Sequence, residues 1–174
     1  MTDDDNGRAF YGKYRGIVTD IEDPLFQGRI KAKVPDVLGD DESGWAMPCV
    51  PFGGNGMGFF ALPKKDAGVW IEFEHGDPDY PIWSGCWWGI AAELPPVVLV
   101  PPYKKVIVQT DGGNSVLLDD TPGVGGITLQ TSGGQKIVMT NLGIEISYVE
   151  GISIKLDPEG VSINGTSLQV LPGA

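Results

Sequence analysis

Side chains able to do chemistry are few and scattered along this chain. Its one histidine, His75, stands in Glu74-His75-Gly76-Asp77, where an imidazole among carboxylates has the types of a metal ligand or a proton donor. A metal site needs several convergent ligands, and the Gly-Asp-Pro that follows is turn chemistry, so His75 reads as a turn residue. Asp111 and the adjacent Asp119-Asp120 have the types of a sugar-cleaving carboxylate pair. Asp119-Asp120 runs straight into Thr121-Pro122-Gly123, however, and carboxylates at turns are ordinary. Gly53-Gly54-Asn55-Gly56-Met57-Gly58 has the glycine density of a phosphate cradle without its Lys-Ser/Thr ending or its strand-then-helix setting. Trp83, Trp87 and Trp88, with Phe59 and Phe60, have the makings of a stacking platform for bases or sugars. Residues 1–95 carry 8 basic against 16 acidic side chains, which opposes a polyanion, so these aromatics read as core and interface. No nucleophile, base and orienting partner assemble from His75, Cys49, Cys86 and the scattered carboxylates. The expectation is a protein without catalytic residues, metal or cofactor.

The whole chain extends the same argument. Its 174 residues hold 12 basic and 23 acidic side chains, a net charge of −11. That balance disfavours nucleic acid, whose phosphates demand a basic surface, and gives no attraction to anionic lipid heads. No apolar run approaches the roughly 18 to 20 residues that span a bilayer. The acidic start Met1-Thr2-Asp3-Asp4-Asp5 is unlike a secretory signal. Assembly in the cytoplasm, without stable membrane anchoring, is expected. The two cysteines should then be reduced and buried.

The elements that would position these residues fall into two halves. Two Pro-Pro pairs in Glu93-Leu94-Pro95-Pro96-Val97-Val98-Leu99-Val100-Pro101-Pro102 mark a stiff, extended connector lying against protein. The domains are therefore expected at 1–92 and 103–174, with the connector at 93–102. In the first half, residues 14–20, 28–35, 46–50, 69–74 and 82–88 are strand-like and separated by Asp-Pro, Gly-Asp and Gly-Asp-Pro turns. About five strands in that length suit a small closed barrel of the oligonucleotide/oligosaccharide-binding (OB) type, and closure removes exposed edges.

The second half repeats a short apolar-x-apolar unit, most copies opened by glycine: 126–129, 136–139, 143–146, 151–156, 160–163 and 167–170, after two less regular entry strands at 106–108 and 116–118. Residues i and i+2 of a strand share a face. Ile127, Leu129, Ile137, Met139, Ile144, Ile146, Ile152, Ile154, Val161, Ile163, Leu168 and Val170 therefore form one apolar face, while Thr128, Glu145, Ser153, Ser162 and Gln169 form a polar one. No helix or second sheet is available to cover the apolar side. Leaving about a dozen such side chains open would forfeit some 20 to 35 kcal/mol of burial, more than the net stability of a typical domain. Three identical chains wound into a triangular prism with a dry axis supply the cover. Interchain strand pairing and that axis would make the shaft rigid.

The order of motifs in the first half resembles a known family. Gly16-Ile17-Val18, Asp23-Pro24, Gly28-Arg29-Ile30-Lys31-Ala32-Lys33-Val34-Pro35, Trp45-Ala46, Val69-Trp70-Ile71-Glu72-Phe73-Glu74, Gly76-Asp77-Pro78 and Pro81-Ile82-Trp83-Ser84-Gly85 are similar to the N-terminal barrel of phage baseplate assembly protein V and of VgrG-type secretion spikes. Gly28, Arg29, Val34, Pro35, Trp45, Trp70, Phe73, Gly76, Asp77 and Gly85 carry the pattern. The second half resembles the trimeric intertwined β-helix that follows that barrel. The resemblance implies an all-β homotrimer serving as the central spike of a contractile injection system. It also implies a hub protein beneath the barrel and delivery with the particle or virion baseplate toward a target envelope. No lysozyme-like insert separates the halves, no hub region precedes the barrel, and no His-x-His apex motif closes the end. A tip protein of the PAAR-repeat type is therefore expected to dock at Val170, Leu171 and Pro172. A second reading, a glycan-binding barrel on a trimeric β-stalk, stands beside this one.

Overall fold

A computed structural model describes residues 9–165 and 167–170. The chain forms two compact units, divided between Ile90 and Ala91, and among the described residues the regular structure is almost entirely strand.

In the first unit, β1 (Tyr14–Asp20), β2 (Lys31–Lys33), β3 (Met47–Pro48), β6 (Gly68–Phe73) and β7 (Pro81–Trp87) form one sheet in the order β2-β1-β6-β7-β3, and β4 (Gly53–Gly54) pairs with β5 (Met57–Gly58) apart from it. Strict alternation in β6 sends Val69, Ile71 and Phe73 inward. There they join Val18, Ile30, Ala32, Val34, Ala46 and Trp83 in a single buried cluster. An antiparallel bridge between Ile30 and Ala46, bonded in both directions at 3.2 and 2.7 Å, ties the β2 edge to the β3 edge. That bridge closes the barrel and leaves few ladder groups unpaired. Regular pairing in β2 and β3 is shorter than the expected 28–35 and 46–50. Gly28 takes a left-handed φ of 74°, which interrupts an extended strand, and Pro48 has no N–H to offer a ladder. Val34 and Pro35 lead into a single turn of helix, α1 (Pro35–Leu38), with proline in its first turn.

The connector differs from the expected extended form. Ala91–Glu93 and Pro96–Leu99 are 3-10 turns, the second helped by Val98 N–H donating to the Pro95 carbonyl at 3.0 Å. Proline suits the start of such a turn, because its φ is already near helical and its missing N–H would go unused there. Val97 and Val98 are half-buried, whereas Leu99 and Val100 are exposed.

The rest of the second unit is a meander of eight strands: β8 (Lys105–Gln109), β9 (Ser115–Asp119), β10 (Gly126–Gln130), β11 (Lys136–Thr140), β12 (Gly143–Ser147), β13 (Ser153–Asp157), β14 (Gly160–Ile163) and β15 (Leu168–Val170). Each pairs antiparallel with its neighbours in sequence. The ladder bonds of interior strands are thus intrachain. The expectation that interchain pairing stiffens the shaft is corrected here, because both edges of every interior strand are already paired with a neighbouring strand of the same chain. Glycines open β10 and β12 for a steric reason: a Cβ on Gly126 would strike the Met139 carbonyl, and one on Gly143 the Leu156 carbonyl.

Candidate assembly interface

The registers of the meander build one surface residue by residue. Cross-strand partners share a face, so the pairs link Val106, Leu118, Ile127, Met139, Ile144, Leu156, Val161 and Val170 into one row. Val108, Val116, Leu129, Ile137, Ile146, Ile154, Ile163 and Leu168 form the second row on the same face. Neither row contains a polar residue. Most of these side chains stand open in one chain: Val106 is 62% exposed, Ile146 45% and Ile154 39%. Each forfeits on the order of 1 kcal/mol relative to full burial.

Eleven of the twelve residues expected on the apolar face lie in these rows; Ile152 does not. It caps the Val149–Gly151 turn, ahead of β13, and its carbonyl accepts the Tyr148 N–H at 2.8 Å. Leu156, Val106, Val108, Val116 and Leu118 belong to the rows but were not among the expected core residues. Their alternation with Ile154 and within the entry strands is the signal that would have found them. On the other face run Ile107, Leu117, Thr128, Val138, Glu145, Lys155 and Ser162. The side expected to be polar is therefore interrupted by three apolar residues. Lys155 pairs with Asp157 at 2.9 Å, which raises the lysine pKa and lowers the carboxyl. Val170 is the last residue of β15 and is exposed; Leu171 and Pro172 lie outside the described residues.

In the barrel, several of the motif residues organise a loop. The Asp23 carboxylate is nearly buried. It accepts the backbone N–H groups of Leu25 at 3.0 Å, Gln27 at 2.7 Å and Arg29 at 3.2 Å. The Arg29 guanidinium closes the ring through Nε at 3.0 Å and Nη2 at 2.6 Å. That guanidinium, ahead of the backbone donors and against the cost of burial, holds the Asp23 carboxyl far below the ordinary range. Arg29 also lies 5.7 Å from the Trp45 ring. Gly28 presents its carbonyl to Trp83 Nε1 at 3.1 Å, and its missing Cβ leaves room for the Phe60 ring. Phe73 and Val34 are core. The Gly76 carbonyl accepts Phe10 N–H at 2.8 Å, and Asp77 accepts Asp79 N–H at 3.0 Å. Arg15 stacks over Trp70 and Trp87 at 5.8 and 5.2 Å. Gly85 has φ 121°, beyond the reach of most side chains.

The side chains capable of chemistry are dispersed. His75 is exposed in the Glu74–Gly76 turn with φ 53°. Asp119 accepts the backbone N–H and the hydroxyl of Thr121 at 2.9 and 2.5 Å, which lowers its pKa. Cys49 and Cys86 are free thiols, and both are exposed where burial was expected; each sits on or next to a strand whose core positions go to its neighbours. Gly53–Gly54 and Met57–Gly58 make a tiny hairpin. Among the described residues no three His, Cys, Asp or Glu side chains converge, and no helix is long and apolar enough to cross a membrane.

Comparison with known proteins meets this geometry from both ends. Residues 14–88 match the type VI secretion system/phage-baseplate injector OB domain. Residues 105–169 match the phage baseplate V C-terminal trimerisation domain, the segment that carries both apolar rows. The chain belongs to the phage baseplate V family, whose two domains it carries in order. Among its relatives is the type VI secretion system spike protein VgrG4b of Pseudomonas aeruginosa, 31% identical over 91 residues, covering 49% of this chain and 11% of the relative. Another is the actin cross-linking toxin VgrG1 of Vibrio cholerae, 30% identical over 105 residues, covering 55% of this chain and 10% of the relative. The chain spans about a tenth of the length of these curated relatives. Its own architecture is an OB barrel followed by a trimerising β-stalk.

Proposed function

We propose that three copies of this chain close their sheets into a triangular prism, with both apolar rows on the axis, and act as the central spike of a contractile injection system. The observation that carries this reading is the unbroken two-row apolar face in a segment matching a trimerisation domain. The axial roles of the eleven expected core residues that lie in the rows, the boundaries at 1–92 and 103–174, and assembly in the cytoplasm before delivery are parts of this proposal. Eight strands at about 4.8 Å give a shaft of roughly 40 Å. Its stiffness would come from intrachain ladders held together by a dry axis. The barrel would seat the trimer on a hub at the end of the inner tube. The exposed edge of β15 and the apolar Val170 would dock a PAAR-type tip protein, since open strand edges and apolar patches normally have a partner. Piercing on sheath contraction then needs no reacting residue.

Trp83 and Trp87 commit their indole N–H groups to the carbonyls of Gly28 and Val69 within the barrel. Trp83 is also buried and Arg15 lies over the Trp87 ring at 5.2 Å, which disfavours both as members of a glycan-stacking platform. The experiment is co-purification with a candidate hub and tip protein, alongside assays on peptidoglycan, polysaccharide and peptide substrates. Removal of residues 168–174 should abolish tip capture and spare hub capture, with no turnover in either form. Hub and tip capture unaffected by the truncation, or reproducible turnover lost on mutating a named carboxylate, would refute the reading.

A further inference from the structure

The two apolar rows solve the problem of cover but not that of alignment. Valine, isoleucine, leucine and methionine occupy every level, so one chain displaced along the axis would still meet apolar side chains. A uniform face specifies register weakly, as uniform coiled-coil seams do until one exceptional residue fixes them.

The sheet's edges hold one such exception. On the edge formed by the turns after β8, β10 and β12, the first two turns close with polar pairs, Thr110 to Asn114 and Thr131 to Gln135. The third closes with Tyr148 and Ile152, whose backbones meet at 2.8 Å. These two continue the alternation of Ile146 and Ile154 one step outward, so the apolar face widens at this level. Tyr148 is 55% exposed and Ile152 54%. On the opposite edge, the two-residue turn beyond the Thr140–Gly143 pair carries Leu142, 69% exposed. The turns holding Leu142 and Tyr148 flank the same strand, β12, so they lie about one strand spacing, ~4.8 Å, apart in height.

A threefold rotation makes every contact heterologous: the edge of one chain meets the opposite edge of the next. We propose that Leu142 of each protomer docks against Tyr148 and Ile152 of its neighbour, and that this corner contact sets the axial register of the three chains. The occupant is a second copy of this chain, because the corner is continuous with the trimer face and its two sides lie on opposite edges within one strand spacing in height, a gap the long Tyr148 side chain can span. The inference rests on the prism reading above. Val124, also exposed on Leu142's edge, is about three strand spacings, ~14 Å, from the level of Tyr148 and serves as the control.

The test combines Leu142→Cys with Ile152→Cys in a Cys49→Ser, Cys86→Ser background. The two sites stand beyond opposite ends of β12, too far apart for an intrachain bridge. Non-reducing gels should show covalent trimer for the Leu142/Ile152 pair and little linkage for the Val124/Ile152 pair. Equal linkage in both, or none in the first while light scattering reports a trimer, overturns the corner contact and leaves the spike reading standing. A monomeric wild-type chain overturns both. If the cysteine pair itself fails to assemble, Leu142→Ala with Ile152→Ala decides. A melting temperature below that of Val124→Ala, with a broadened trimer species, supports the corner, and an unchanged melt refutes it.

Discussion

Replacing Ile146 by aspartate puts one charge into the second apolar row, between Ile137 and Ile154. Ile146 is 45% exposed in a single chain, so the trimer would bury about half of a side chain worth roughly 1.5 to 3 kcal/mol in full. That is about 1 kcal/mol per protomer and about 3 per trimer, some two orders of magnitude in the assembly constant. The charge decides the outcome. Each carboxylate drawn into a dry axis costs several kcal/mol more, and symmetry brings three like charges together. Ile146→Asp should therefore abolish assembly near neutral pH. Partial recovery is expected in acid, where protonation removes the charge. Glu145→Ala, one residue away on the other face and opposite Lys155, should change stability by under about 1 kcal/mol. Light scattering should report three times the 18.6 kDa chain mass for wild type and Glu145→Ala, and the single chain for Ile146→Asp. Equal masses and equal melts for both substitutions would show that the face assignment is wrong.

Two further expectations concern the barrel. The Asp23 carboxyl sits below its ordinary value of 3.8, so its contribution to stability is complete above that value and is lost as pH falls below it. Asp23→Asn should lower the melting temperature at pH 7 and flatten the loss of stability below about pH 4, read by tryptophan fluorescence; an unchanged acid limb would refute the role of the loop. Gly68→Ala would set a Cβ 2.7 Å from the Trp87 ring and 2.8 Å from its carbonyl oxygen. The overpacking should cost about 1 to 3 kcal/mol, whereas Gly112→Ala, with nothing within 4 Å, should be nearly silent in the same melts.

Amino-acid order alone determined the strand character of both halves and the two-faced pattern of the second. The eight repeat units, the opposed placement of Ile144 and Glu145, and the turn position of His75 all follow from period-two alternation and turn chemistry, which act between residues close in sequence. Tertiary structure decided what depends on distant partners. The Ile30–Ala46 bridge closes the barrel, and Asp23 gathers three backbone donors and Arg29 into one ring. Trp83 turns inward to reach a carbonyl 55 residues away. The cysteines remain outside the core although their type favours burial, and the prolines start 3-10 turns where an extended connector was expected. Ile152 shares the alternation of Ile154 but falls beyond the strand, because the turn after β12 uses its carbonyl to close. Alternation sets which way a side chain points, whereas the hydrogen bonds that end a strand or shut a barrel depend on groups that only the folded chain brings together.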